Sequence, residues 1–164
     1  MEKKYKLLKT NKKTFGDKTL FQIKALVDFS NAKKGEKGGY IEKESNLAHS
    51  GDAWVSGDAL VYGDALVSGD AWVSGNARIF GDARISGNAW VYGDAWVSGN
   101  ARIFGDARIS GDAWVSGDAR VYGNARVSIR ADLKTNCDFE LPRILINKPE
   151  KLKQLAEFLK KLEV

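Results

Sequence analysis

The 164-residue chain has one cysteine, one histidine and no apolar run long enough to cross a bilayer. A lone Cys137 excludes an intramolecular disulfide, so nothing points to an oxidising compartment. The N-terminus is rich in lysine, but no apolar stretch of a secretory leader follows it. A cytoplasmic location without membrane attachment is therefore expected. Acidic balance is missing too: the formal net charge is +5. That charge is unevenly placed, because Gly51 to Ser128 holds nine Asp and six Arg, a net of −3, and the flanks supply the excess. Most of the excess is lysine (Lys3, Lys4, Lys6, Lys9, Lys12, Lys13, Lys33, Lys34 and Lys37), which reads as solvated surface. Nucleic-acid binding is not the favoured reading of such a distribution.

What the chain does have is a repeat. From Gly51 it runs GDAWVS, GDALVY, GDALVS, GDAWVS, GNARIF and onward through thirteen consecutive hexads without an insertion. Ala is always third and Val or Ile always fifth. Alternation along a strand puts these two on one face and the fourth and sixth residues on the other. Ala and Val/Ile therefore point inward. Gly-Asp or Gly-Asn makes the turn, since Gly tolerates positive φ and Asx side chains satisfy local backbone groups. Strands this short cannot bury their apolar face alone, and stacking successive coils into a solenoid buries it continuously.

The frame extends with larger residues. Upstream, Gly39–Glu44 places Ile41 in the Ala slot, and Ser45–Ser50 places Leu47 there with His49 in the Val slot. Downstream, Ala131, Leu133, Cys137 and Phe139 fall inward. Residues 3–29 read as two strands, Tyr5 to Leu8 and Leu20 to Phe29, joined by a polar Gly-Asp turn. Asn147 and Glu150 read as the start of a C-terminal helix with Leu152, Leu155, Phe158, Leu159 and Leu162 on one stripe. This helix either packs on its own solenoid or makes an oligomer contact. The expected domains are a β cap over 1–38, a solenoid over 39–140 and a helix over 141–164.

The pattern resembles the hexapeptide-repeat left-handed β-helix, with three hexads per triangular coil. That resemblance implies an all-β solenoid, a left-handed parallel β-helix of between five and six coils, roughly 27 Å tall at about 4.8 Å per strand. Left-handedness comes from the resemblance alone, since crossover preference points the other way. The combination "KYKLL…LFQIKALVDF…KKGEKGGYIEKESNLAHSGDAWVSGDA" also resembles small β-helix proteins of bacteriophages and prophages, over about residues 4 to 128. That group implies little about function.

The best-known enzymes of the hexapeptide fold are trimeric acyltransferases with an interfacial catalytic His and often an extruded loop. This chain has no loop among its thirteen hexads, and His49 occupies a degenerate first coil, where packing or capping suits it better than base catalysis. Acyltransferase activity is the weakest alternative. Calcium ligation does not fit, because Asn replaces Asp at Asn76, Asn88, Asn100 and Asn124. Zinc chemistry on this fold needs several His, and ice binding needs Thr ladders absent from the repeats. The expectation is a non-enzyme with no catalytic residue, metal or cofactor.

The outward letters remain. Residues eighteen apart stack, which sorts them into three columns. The first face carries Trp54, Trp72, Trp90, Arg108 and Arg126. The second carries Leu60, Arg78, Trp96 and Trp114, with Tyr62 and Phe80 beside them. The third carries Leu66, Arg84, Arg102 and Arg120, with Phe104 and Tyr122 adjacent. Exposed apolar stripes mark interaction surfaces, and Trp and Arg dominate binding hot spots. The expectation is a binding or scaffold protein of phage or prophage type, self-associating as a homotrimer. Trp54, Trp72, Trp90, Trp96, Trp114 and the helix residues Leu152, Leu155, Phe158 and Leu159 are candidate interface positions. Arg84, Arg102 and Arg120 with Phe104 and Tyr122 form a second candidate site, suited to an anionic nucleotide. An anti-defence role, sequestering a nucleotide signal or blocking a host defence protein, is the alternative. The 18-residue block Gly69–Ser86 recurs unchanged at Gly93–Ser110, offset by twenty-four residues, so the copy is rotated by one face. That offset reads as gene growth by slippage.

Overall fold

A computed structural model describes residues 3–128 and the backbone of 132–133. Within it, hexad strands two residues long repeat from Trp54–Val55 to Arg126–Val127. Each pairs in parallel with the strand eighteen residues away, as in Trp72↔Trp90 and Arg84↔Arg102. Three sheets result, forming the sides of a triangular prism of about five coils. The turn glycines are required by geometry: Gly87 has φ 65°, and a Cβ there would lie 2.8 Å from the backbone nitrogen of Gly105 in the coil beneath. Two Cβ-free corners stacked this closely admit no other residue without a shift.

Inside the prism, every repeat Ala from Ala53 to Ala119 is buried, as is every Val or Ile of the fifth position from Val55 to Val121. Burying each Val or Ile contributes about 1.5–3 kcal/mol. The Ala positions contribute little area, but their small size brings the three walls together. Bonds flanking the two-residue strands run from one coil to the next: Trp72 N–H donates to Ala89 O (2.9 Å), Ser74 N–H to Val91 O (2.9 Å), and Asn76 N–H to Gly93 O (2.9 Å). At the N-terminal end, the equivalent carbonyls of the first coil, Gly51 O and Ala53 O among them, have no earlier repeat to donate to them.

The N-terminal module covers that end. Strand β1 (Tyr5–Phe15) and strand β2 (Lys18–Ala25) form an antiparallel hairpin around Gly16, with φ 59°. The hairpin is longer than the two short strands expected, because the polar stretch after Leu8 stays extended past an irregularity between Leu8 and Lys12. The second strand stops at Ala25 instead of Phe29. Strand β3 (Lys37–Ile41) pairs antiparallel with β2 and parallel with Leu60–Val61, so cap and solenoid share one eight-stranded sheet. The expected boundary at residue 38 falls inside β3.

Register corrects two inward assignments. Ile41 lies opposite Val61 and Leu47 opposite Val67, so both occupy the Val slot. Gly39 takes the Ala slot, where a Cβ would meet the Ala59 oxygen at 2.8 Å. The cause is two additional residues between Leu47 and Val55, which displace His49 from the prism interior. Leu133 does fall opposite Val115 as expected. Ala131, Cys137, Phe139 and the expected C-terminal helix lie outside the described residues.

Candidate binding faces

The cap's chemistry follows from the leftover carbonyls, since unpaired backbone groups at a buried edge are costly. Lys4 Nζ donates to Gly51 O (3.0 Å) and Ala53 O (2.8 Å). Asn46 Nδ2 donates to the equivalent pair two corners on, Gly63 O (3.0 Å) and Ala65 O (2.8 Å). Tyr40 N–H serves Ala59 O and Glu42 N–H serves Val61 O. Lys4 is thus buried, not the solvated surface lysine its composition suggested, and burial pushes its ammonium down to about 8. Tyr5, also buried, donates its hydroxyl to Leu47 O (2.7 Å), and burial raises its pKa above the ordinary value. His49 stacks on the Tyr5 ring at 4.3 Å and 21°, and desolvation lowers its pKa.

On the first face the expected column is present, Trp54↔Trp72↔Trp90↔Arg108↔Arg126. Its exposure is uneven. Trp54 is fully buried, with Phe29 and Tyr5 edge-on to its ring at 5.3 and 6.5 Å, so it offers no interface surface. Trp72 is half-buried and donates its indole N–H to Ser56 Oγ (2.8 Å). Trp90 and Tyr92 are exposed, and Arg108 lies over the Trp90 ring at 5.0 Å. Trp72, Ser74, Trp90, Tyr92 and Arg108 together line an open groove of ≈ 360 Å³.

The second face, Leu60↔Arg78↔Trp96↔Trp114, is half covered by the chain itself. Phe15, at the hairpin tip, packs 5.8 Å from Tyr62, which stacks on Phe80 at 5.1 Å and 3°. The Arg78 guanidinium lies over both the Phe15 ring (4.7 Å) and the Trp96 ring (4.8 Å). Lys13 holds the hairpin down through Asp58 (2.5 Å) and the Tyr40 ring (4.2 Å). Below Arg78, the half-buried Trp96 leans on Trp114 at 5.7 Å, and Trp114 is 46% exposed.

The third face stacks Leu66↔Arg84↔Arg102↔Arg120. All three arginines are exposed. The ion pairs among the described residues all use Lys or His, so none of these guanidinium groups is paired there. Phe104 stacks on Tyr122 at 5.2 Å and 9°, each directly after the strand that carries Arg102 or Arg120. Of the second candidate site, Arg84, Arg102 and Arg120 thus stand in one column and Phe104 stacks on Tyr122. Leu152, Leu155, Phe158 and Leu159 lie outside the described residues.

The corners form a further pattern. Asn76 donates to Asp94 (2.9 Å), Asn88 to Asp106 (3.0 Å) and Asn100 to Asp118 (3.0 Å). Each Asn replaces a like-charge contact with a hydrogen bond along the column. No three His, Cys, Asp or Glu side chains among the described residues are arranged to hold a metal ion. No helix there is long and apolar enough to cross a membrane.

Three parallel sheets built from six-residue repeats define a β-solenoid repeat protein. The YdcK β-solenoid repeat matches the chain over residues 59–75, 83–99, 101–117 and 119–128, which are the coils just described. No curated protein matches it.

Sequence reasoning missed Phe15 and Lys4. Phe15 carried a weak signal, an aromatic directly before a Gly-Asp hairpin turn. Lys4 carried none, because one lysine among many gives no sign of being buried.

Proposed function

We propose that this chain is a non-catalytic binding and scaffold protein that self-associates and engages a partner through its Trp and Arg columns. The observation that carries this reading is the lower end of the second face, where Trp114 is 46% exposed and, among the described residues, has no cation over its ring. Apolar surface of this kind marks contact sites, and a flat, rigid sheet face suits self-packing. We assign self-association to this half-face, as a trimer of left-handed coils in keeping with the hexapeptide-repeat resemblance. A phage or prophage setting in the host cytoplasm fits the N-terminal module's likeness to such proteins. Replacing Trp114 with Lys is expected to convert the assembly to monomers on gel filtration while the thermal midpoint stays within a few degrees. A variant that keeps the wild-type elution volume rules this face out as the interface.

The unpaired arginines favour a second reading, capture of an anionic nucleotide. Arg102 and Arg120 offer planar donors to phosphate, and the Phe104–Tyr122 pair offers a stacking surface. Calorimetry with linear and cyclic nucleotides tests it. Binding that is lost in Arg102→Ala and Arg120→Ala supports capture, whereas no heat, or heat unchanged in those variants, removes it.

A further inference from the structure

We propose that the groove between Trp72, Trp90 and Arg108 is a docking site for an aromatic side chain flanked by a carboxylate, presented on an extended segment of a partner protein. This rests on the reading of the faces as binding surfaces and assigns one of them an occupant.

The chain contains the completed form of this site. On the second face, the Arg78 guanidinium lies on Trp96 at 4.8 Å, and a hairpin-borne second ring, Phe15, meets the same guanidinium at 4.7 Å. On the first face, Arg108 lies on Trp90 at 5.0 Å, and no second ring is placed over it among the described residues. Both faces pair a Trp with an Arg of the neighbouring coil in parallel register, in opposite order along the column: Arg78 precedes Trp96, whereas Arg108 follows Trp90. A guanidinium stacks favourably on both of its faces, so the half-sandwich has an unused surface matched to an aromatic ring. The groove of ≈ 360 Å³ beside it is large enough, since about 150 Å³ already accommodates benzene. Ser74 and Tyr92 add hydroxyl groups at its rim.

Charge supplies the flanking carboxylate. Arg108 and Arg126 follow one another in this column, both exposed. No ion pair involves either of them among the described residues. Stacking leaves the edge N–H groups of a guanidinium open to a carboxylate, and an acidic neighbour on the docking segment meets them without breaking the sandwich.

The test uses the full chain with nitrogen-labelled tryptophan side chains, whose indole N–H signals are read by NMR. The titrants are acetyl-Glu-Phe-Glu-amide, acetyl-Glu-Ala-Glu-amide and acetyl-Lys-Phe-Lys-amide. The expected result is a saturable shift of the Trp72 and Trp90 signals with the first peptide and at least about tenfold weaker binding of the other two, with Trp54 unmoved. Arg108→Leu is expected to abolish the shift. Arg108→Lys, which keeps the charge without the plane, is expected to weaken it. Three results overturn the proposal: no saturable shift at Trp72 and Trp90, an equal response to all three peptides, or a response unchanged in Arg108→Leu. Shifts of these two signals on dilution of the protein alone also overturn it, because they assign the groove to a second copy. Self-association through Trp114 is measured separately, so failure here leaves that reading standing, and the reverse holds too.

Discussion

Lys4 and Tyr5 are adjacent in sequence, both buried in the cap, and their titrations pull stability in opposite directions. An unfolded Lys4 keeps its proton to about 10.5, while the folded chain releases it near 8. Between those values the unfolded state binds more protons, so stability rises with pH. Tyr5 is shifted upward from 10.0, and above that value the folded state holds the proton that the unfolded chain has lost. Stability then falls. The thermal midpoint is expected to climb from pH 8 to about pH 10 and decline beyond it, as followed by circular dichroism. Lys4→Met is expected to remove the rising limb and to lower the midpoint throughout, because Gly51 O and Ala53 O lose their donor. A midpoint that falls steadily from pH 8 in the wild-type chain contradicts the buried-lysine account. The hexad's periodicity announced its inward residues, but it held nothing about Lys4, whose role arises only when chain ends meet in space.

At the scale of strands and corners, the sequence was most legible where it repeats. Ala third and Val or Ile fifth predicted the buried wall, and an eighteen-residue period predicted the column partners, including Trp96 on Trp114 and Arg102 on Arg120. It was least legible where the repeat degenerates. Ile41 and Leu47 looked like Ala-slot residues because the hexad frame was carried upstream unbroken, and two extra residues before Val55 moved them to the Val slot. The Asx positions show the same limit. Their alternation was readable as turn-making, but the Asn-to-Asp hydrogen bonds between coils required the structure. Asn100→Asp is expected to place a carboxylate against Asp118 and between coils that already carry Asp82. The variant should melt below wild type at low ionic strength, with most of the difference disappearing in high salt. A midpoint equal to wild type at low salt contradicts the proposed role of the asparagines.

Across the whole molecule, the cap decides which outward residues remain available. Five Trp looked equivalent in sequence, yet the hairpin and its following loop bury Trp54 and cover the upper second face, leaving Trp90 and Trp114 exposed. The exposed remainder is a lower half rich in Trp and Arg beneath a capped upper end. This asymmetry underlies the proposed division of labour, with assembly through Trp114 and partner binding through the first and third faces. Sedimentation equilibrium of the full chain tests that account most directly. It predicts a mass three times the 18.0 kDa of one chain, whereas a single species at the mass of one chain across the accessible concentrations contradicts it.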